Sequence, residues 1–264
     1  RKAEAEEVDP FLLFTIRNRN GDAIRKIKQP VKKGLQRLVW DFRYSPPVAV
    51  SLQAYDDSVP WNSPPQGYMA MPGEYTVEMG IFENGEYRQL GDPRAFNCVP
   101  LGVGTLPESD KVALDEFNKK VAGLAVVLNS AEAHRNYLSK RLPFMEKAII
   151  EGANVDPVLL VNVQELKMQI NELGKMINGD QLRRSYEGAV PMSVKGRIDL
   201  ITGSLWSTTA APTGTYQRAY EEAQEKVDAV LEELGTIDQA VKELETELDK
   251  AGAPYTPGRL PGKN

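Results

Sequence analysis

The 264-residue sequence predicts an α+β protein made of two successive parts. Residues 10–103 predict an antiparallel β-sandwich, because about seven short alternating runs are separated by Gly, Pro and Asn-Gly turn signals. Residues 104–252 predict an antiparallel three-helix bundle, because apolar side chains recur there at 3-4 spacing. The flanking segments 1–9 and 253–264 are expected to be a charged linker and a Pro-rich strap.

The first three strands are predicted from residue type and alternation. Residues 11–18 are rich in aromatic and β-branched side chains, Asn20-Gly21 is a two-residue hairpin signal, and residues 23–29 form the returning strand. Residues 35–44 alternate apolar and charged side chains, which indicates a half-buried third strand. Within it, Trp40 is expected in the sandwich core and Asp41 is expected to bond to a turn.

Three further strands follow in the same part of the chain. Pro72-Gly73 introduces a strand over residues 75–82, and Asn84-Gly85 predicts a second hairpin. The returning strand covers residues 86–90, and residues 94–99 form the last strand. The short strands and frequent turns favour an antiparallel sandwich over a parallel sheet.

Three long helices are predicted in the second part. The first begins at a capping box over residues 105–108 and continues to about residue 149, and Pro143 should kink or divide it. The second starts at Asp156-Pro157 and the third near Thr215. The middle helix is too short to line both neighbours.

Two connecting segments complete the predicted bundle. Residues 180–214 are expected to be irregular and to cover the open end of the bundle, with Trp206 as the anchor. Prolines in the strap 253–264 prevent a helix there, and Tyr255 and Leu260 are expected to pin it to the protein.

The composition excludes several classes of protein. Apolar residues make up 41% and charged residues 26%, which excludes wholesale disorder and fibrous proteins. The net charge of −5 argues against a nucleic-acid binder, and no apolar run is long enough to span a membrane. With one cysteine and one histidine, a disulfide framework, a Cys-based zinc site and paired-histidine mechanisms are excluded. No metal site and no cofactor are predicted.

Known catalytic motifs are not found in the sequence, and no catalytic residue is assigned. His134 lies beside the apolar seam of the first helix and is interpreted as a packing or surface residue. Cys98 lies in a strand among apolar neighbours and is interpreted as a small buried side chain. Arg135 occupies a seam position, where it should set the register or pair with an acid; anion binding is the alternative.

The predicted loop over residues 45–68 is the best candidate for a binding surface, because long irregular loops are often functional. Aromatic faces beside carboxylates and amides suit a sugar ring, and this loop carries both kinds of side chain. The candidate ligand-binding residues are Tyr55, Asp56, Asp57, Trp61, Asn62 and Tyr68. The alternative is that Trp61 and Tyr68 simply pin the loop. An acid–base pair of Asp56 and Asp57 is not expected, because adjacent side chains on an extended chain point apart.

Charge is distributed unevenly along the chain. Residues 11–44 contain nine Lys and Arg against two Asp, a net charge of +7. Residues 215–252 contain eleven acids against four basic residues, a net charge of −7. Two solvated surfaces are the simplest interpretation, while contact within the chain and contact with separate partners are the alternatives.

Several motifs in a fixed order give the chain a resemblance to a known family. They run from Phe11–Ile16 and Asn20-Gly21 through Trp40–Tyr44, Pro72–Val77 and Asp92–Arg94 to Trp206, Pro212-Thr213 and the tail 253–261. Together they resemble the C-terminal region of large secreted bacterial proteins with sortilin-like or BNR-repeat β-propellers, often labelled glycosyl-hydrolase-like. The first half is also similar to the Ig-like domain of flagellar hook-capping proteins.

The resemblance implies an Ig-like or fibronectin-like sandwich and an extracytoplasmic location, whether secreted, periplasmic or at the cell surface. It implies a non-catalytic accessory module that supports the N-terminal propeller of the same parent chain or binds a protein or glycan. The charged start at Arg1 shows no signal peptide, and a piece of a larger protein is expected. One alternative is that the module forms part of a hydrolase active site. The other is a structural subunit that assembles through the acidic third helix.

Overall fold

The computed structural model describes residues 8–53, 56, 58–59, 64–102, 107–188 and 190–259. Within these residues the fold is α+β, with one antiparallel sheet of five strands and with five helices. The strands are β1 (Phe11–Arg17), β2 (Ala23–Pro30), β3 (Gly73–Glu83), β4 (Glu86–Gln89) and β5 (Arg94–Cys98). The helices are α1 (Glu108–Glu151), α2 (Leu159–Asn178), α3 (Gln181–Glu187), α4 (Val194–Leu205) and α5 (Gly214–Lys250).

The chain divides into two compact units. The first, called the sheet unit, comprises the described residues of 1–47, 55–119 and 205–212. The second, called the helical unit, comprises the described residues of 48–54, 120–204 and 213–264. The division therefore falls inside α1, some fifteen residues beyond the boundary expected near residue 104.

The sheet has the strand order β2-β1-β3-β4, and β5 pairs with β3 as well. The hairpin between β3 and β4 turns at Asn84 and Gly85, whose φ angles are 53° and 78°. Positive φ at both central residues is the two-residue turn that fits the twist of a hairpin. Five of the predicted strands are thus confirmed, and so is the second hairpin. β1 and β2 also pair as predicted, but residues 18–22 join them, with a positive φ at Gly21 alone, instead of a two-residue turn at Asn20-Gly21.

Residues 35–44 are not a strand, and this prediction is wrong. Leu38 and Trp40 are half-buried while Val39 is 73% exposed, so the burial alternates as predicted, but residues 35–42 form no strand pairing. The backbone turns at Asp41, whose Oδ1 accepts from the N–H of Arg43 at 3.1 Å, and Phe42 has a φ of 56°. This turn satisfies the backbone locally and ends the extended run, since Asp side chains compete with strand pairing.

The core of the sheet unit is small and partly aromatic. Ile16, Ile24, Ala70 and Tyr75 are buried and in contact. Trp40 packs against this cluster, with its ring centroid 5.4 Å from that of Tyr75. The expected core position of Trp40 is confirmed by its packing, although its backbone lies outside the regular strands.

The helical unit has a continuous apolar core. Its fully buried side chains lie on α1, α2 and α5 at the predicted 3-4 spacing, for example Leu138, Ile170 and Ile237. α1 continues through Pro143 without being divided. Pro143 is exposed, so water can satisfy the carbonyl that loses its helical partner.

The segment over residues 180–214 is not irregular as expected, since it contains α3 and α4. Val194 and Ile198 on α4 join the core of the helical unit. Trp206 is buried but belongs to the sheet unit, where its carbonyl accepts from the guanidinium of Arg43 at 3.0 Å. The expectation that Trp206 anchors the segment across the bundle is therefore wrong.

Residues 253–259, the described part of the strap, are not held to the protein by the side chains that the sequence predicts. Tyr255 is 61% exposed and does not pin it, and Leu260 lies outside the described residues. Thr256 is 3% exposed, and Arg259 pairs with Asp249 of α5 at 2.7 Å. The burial of Thr256 and the ion pair of Arg259, rather than an aromatic ring, thus hold the described part of the strap.

Candidate functional site

The sheet unit contains a cavity of about 580 Å³. Its volume lies in the range of ligand-binding pockets, about 300–1,000 Å³. Most of its lining is apolar and comes from five places in the sequence, which are Phe42, residues 69–72, residues 97–101, the first turns of α1, and residues 205–209. The cavity therefore depends on segments that are far apart in sequence.

One face of α1 supplies the polar floor of the cavity. Lys111, Leu114, Asp115 and Asn118 all line it, and their spacing places them on one side of the helix. Leu114 is 6% exposed and Asn118 is 3% exposed. The ammonium group of Lys111, the carboxylate of Asp115 and the carboxamide of Asn118 thus belong to one side of a mostly apolar space.

Two oxygens of this floor are buried and have no hydrogen-bond partner among the residues that the structure describes: Oδ1 of Asp115 and Oδ1 of Asn118. The other carboxylate oxygen of Asp115, Oδ2, lies 2.6 Å from Nζ of Lys119. This hydrogen bond with Asp115 raises the pKa of Lys119. A buried acceptor without a donor costs about 1–3 kcal/mol, so these two oxygens destabilise the fold locally.

The rim of the cavity is apolar and exposed. Met69 and Phe42 are 44% and 46% exposed, and Val99 and Leu101 are 72% and 91% exposed. Contiguous apolar surface around a pocket is typical of interaction sites. A molecule confined to the cavity would leave much of Val99 and Leu101 in contact with water.

Cys98 also lines the cavity, from the end of β5, where it pairs with Gly73 of β3. Its side chain is half-buried, and this burial raises the pKa of the thiol. A thiol with a raised pKa stays protonated at neutral pH and is a weak nucleophile. Cys98 therefore contributes packing surface to the cavity.

Tyr68, one of the predicted ligand-binding residues, is only 5% exposed. Its ring stacks on Tyr44 with centroids 4.2 Å apart and an interplanar angle of 18°, and Trp206 lies 6.1 Å away. Burial raises the pKa of both tyrosines. The ring has no open face for a sugar, which agrees with the alternative that Tyr68 pins the loop.

Of the other predicted loop residues, Asp56 is the one that lies within the described part of the chain. Asp56 accepts from the N–H and the hydroxyl of Ser58 at 3.0 and 2.5 Å, and these bonds lower the pKa of Asp56. Its side chain is exposed. The remaining predicted residues, Tyr55, Asp57, Trp61 and Asn62, lie outside the described residues.

His134 and Arg135 have structural partners in the helical unit. Nε2 of His134 lies 2.9 Å from Oδ1 of Asp238 on α5. Arg135 donates to the carbonyl of Ile170 on α2 at 3.4 Å, and no carboxylate pairs with it among the described residues. Arg135 also donates to Oδ1 of Asn136 at 2.6 Å, so neutral oxygens take the place of the expected acid, while a role in setting the register stays a prediction.

Neither a metal site nor a membrane-spanning helix is found among the described residues, and no known protein matches the chain. Among the described residues, no three His, Cys, Asp or Glu side chains are grouped as metal ligands would be. None of the helices in the described part of the chain has the length and apolar character needed to cross a bilayer. Comparison with protein-family models, curated proteins and solved structures gave no match.

Reasoning from the sequence missed the cavity, although the sequence contains one signal for it. Asn118 follows Leu114 by four residues and precedes Val121 by three, so it is a polar residue on the buried face of a helix. Buried polar groups are almost always hydrogen-bonded, and an exception requires an explanation. The walls around it come from remote segments that no periodicity connects.

Proposed function

We propose that this chain is a non-catalytic docking module that binds a protein partner through the cavity of the sheet unit. The observation that carries this proposal is the combination of an apolar cavity with an exposed apolar rim at Val99 and Leu101. Interfaces of this kind place an anchor side chain in a central pocket and exclude water around it.

The partner we propose is the N-terminal β-propeller of the same parent protein, which is the partner that the family resemblance implies. In this view the sheet is part of an Ig-like sandwich and the long helices form a three-helix bundle. The location would be extracytoplasmic. The antiparallel sheet and the apolar seams of α1, α2 and α5 support this finer description.

The glycan alternative has less support than a protein partner. Sugar sites present open aromatic faces beside polar groups, whereas Tyr68 is covered by Tyr44 and the cavity walls are largely aliphatic. A contribution to a hydrolase active site rests on the resemblance alone.

The test is direct binding between the full 264-residue chain and the upstream region of its parent, produced separately and measured by calorimetry. Leu101→Asp places a charge on the rim and should weaken binding at least about 10-fold. Leu35→Asp is the matched control, since Leu35 is equally exposed and does not line the cavity. Its affinity should equal that of the unmodified chain.

Two results would overturn the proposal. One is an upstream region that does not bind or that lacks propeller blades. The other is equal binding by the Leu101→Asp and Leu35→Asp variants, which would place any interface elsewhere on the surface.

A further inference from the structure

The helical unit contains a second concave surface, an open groove of about 650 Å³ lined by α1, α2 and the start of α3. Its volume lies in the range of ligand-binding pockets, about 300–1,000 Å³. The charged side chains that line it are Arg135 on α1, Glu172 and Lys175 on α2, and Asp180 at the N-cap of α3. The docking function proposed for the sheet unit does not involve this groove.

Arg135 is a cation of this groove that has no acidic partner among the described residues. Its Nη1 donates to the carbonyl of Ile170 at 3.4 Å, and its Nη2 donates to Oδ1 of Asn136 at 2.6 Å. Both acceptors are neutral, and the side chain is partly exposed. Each of these nitrogens carries two N–H donors, in a fork that matches the two oxygens of a carboxylate. One N–H on each nitrogen is therefore left for a ligand in the groove.

Gly174 makes room for this guanidinium within the regular helix α2. A Cβ at residue 174 would lie 2.9 Å from Nη1 and 3.3 Å from Cζ of Arg135. Glycine is less favourable than alanine inside a helix, and at this position alanine would displace the charged group. Gly235 of α5 is the opposite case, since a Cβ there would meet nothing within 4 Å. The place of the guanidinium at the groove thus depends on the missing side chain of Gly174.

The two acids of the groove already accept hydrogen bonds from other groups. Oε1 of Glu172 accepts from Nζ of Lys175 at 2.7 Å, and Oδ1 of Asp180 accepts from the N–H of Arg183 at 3.0 Å. The second bond lowers the pKa of Asp180, so this carboxyl is ionised at neutral pH. A phosphate or another multiply charged anion would be repelled by both acids more strongly than a single carboxylate. The groove therefore suits one carboxylate on Arg135.

Two exposed apolar side chains indicate what accompanies this carboxylate. Met168 and Leu182 are 53% and 69% exposed, and both line the groove. An apolar group placed against them removes apolar surface from water, which is favourable. We infer that the groove binds a carboxylate attached to a short apolar body, with the guanidinium of Arg135 as its anchor. Such a carboxylate belongs either to a free monocarboxylic acid or to an acidic side chain beside an apolar residue of a protein.

The test titrates hexanoate, hexan-1-ol and inorganic phosphate into the full ¹⁵N-labelled chain. Hexanoate and hexan-1-ol share the apolar body and differ in the carboxylate. Backbone amide shifts of the groove residues give the dissociation constants. We expect hexanoate to bind at least about 10-fold more tightly than hexan-1-ol, and more tightly than phosphate. No shift with hexanoate, equal binding by hexan-1-ol, or tighter binding by phosphate would overturn the inference.

Two matched pairs of variants test the anchor. Arg135→Gln should abolish the preference for hexanoate over hexan-1-ol, whereas Arg218→Gln should keep it, because Arg218 is an exposed arginine of α5 that does not line the groove. Gly174→Ala should weaken hexanoate binding by displacing the guanidinium, whereas Gly235→Ala should leave it unchanged. Unchanged hexanoate binding by Arg135→Gln or Gly174→Ala, or equal losses within either pair, would overturn the assignment of Arg135 as the anchor.

A second pair of probes separates the two sources of the carboxylate. Acetyl-Leu-Glu-Leu-amide carries a carboxylate on its side chain, and acetyl-Leu-Gln-Leu-amide lacks it. Tighter binding by the glutamate peptide than by hexanoate would assign the groove to a protein segment, and the reverse would assign it to a free acid. The groove and the cavity of the sheet unit share no residue, so a negative result here leaves the docking function intact.

Discussion

Nζ of Lys119 lies 2.6 Å from Oδ2 of Asp115, across one turn of α1, while Oδ1 of the same carboxylate is buried without a hydrogen-bond partner among the described residues. The lysine neutralises the carboxylate from the outside of the helix, with 49% of its side chain exposed. The charge of Asp115, one of the residues that line the cavity, is therefore balanced by a lysine of its own helix.

Asp115→Asn should lower the pKa of Lys119 towards its ordinary value, because the hydrogen bond and charge of Asp115 raise it. A raised lysine pKa stabilises the fold below the unfolded-state pKa, and this contribution is lost as pH rises through the folded-state pKa. The free-energy cost near neutral pH should be only about 0.3–0.5 kcal/mol for so exposed a pair. NMR titration of the lysine side chains measures the shift. Lys175, whose pKa is raised by Glu172, is the internal control and should not change.

Asn118→Leu should stabilise the protein by about 1–3 kcal/mol, because it removes a buried acceptor that has no donor among the described residues. Urea denaturation measures the change in the free energy of unfolding. Asn129→Leu is the matched control on the same helix. Oδ1 of Asn129 accepts from Lys195 at 3.4 Å, so this variant should lose stability. Destabilisation by Asn118→Leu would mean that the carboxamide has a partner and that the floor is satisfied.

Alkaline pH should lower the free energy of unfolding of the sheet unit. Burial raises the pKa of Tyr44, Tyr68 and Tyr75 in the folded state. The unfolded chain therefore loses these protons first, and stability falls as pH rises above about 10. The measurement is the free energy of unfolding at a series of alkaline pH values.

Tyr68→Phe should reduce the slope of that decline, because it removes one of the phenols with a raised pKa. Tyr255→Phe is the control, since Tyr255 is 61% exposed and should leave the slope unchanged. Identical slopes for the two variants would contradict the assignment of the decline to the stacked pair of Tyr44 and Tyr68.

Gly258→Ala should destabilise the helical unit more than Gly252→Ala. Both glycines have positive φ angles, 97° and 65°, so alanine costs about 1–2 kcal/mol at each. A Cβ at Gly258 would also lie 2.7 Å from the guanidinium of Arg141, whereas a Cβ at Gly252 meets open space. Arg141 pairs with Glu245 and would have to move, which should cost about 2 kcal/mol more. Thermal unfolding of the two variants, with proteolysis of the strap, tests this difference.

The parts of the fold that could be predicted are those set by local patterns. Asn84-Gly85 specified a hairpin by its backbone conformation alone, and the seam of α5 followed from spacing. Residues 35–44 could not be predicted, because the Asp41 turn outweighs the alternation around it. The place of Trp206 also could not be predicted, because its partners Tyr68 and Arg43 are more than a hundred residues away.

The same limit applies to the candidate site. The predicted loop has residue types that suit a ligand, but Tyr68 is used for packing against Tyr44. The cavity arises where residues 69–72 and 97–101 meet the first turns of α1, and no spacing in the sequence encodes that meeting. Only Asn118, a polar residue on the buried face of α1, gave a local indication of the cavity.

Cys98 gives the cavity a built-in reporter. It is the one cysteine of the sequence and it lines the cavity, so every thiol-directed label on this protein marks the same place. Because Cys98 lines the cavity, the rate at which an apolar maleimide attaches to its half-buried sulfur should fall when another group occupies that space. The labelling rate of this natural cysteine thus reports whether the cavity is occupied, and the same measurement serves for any partner.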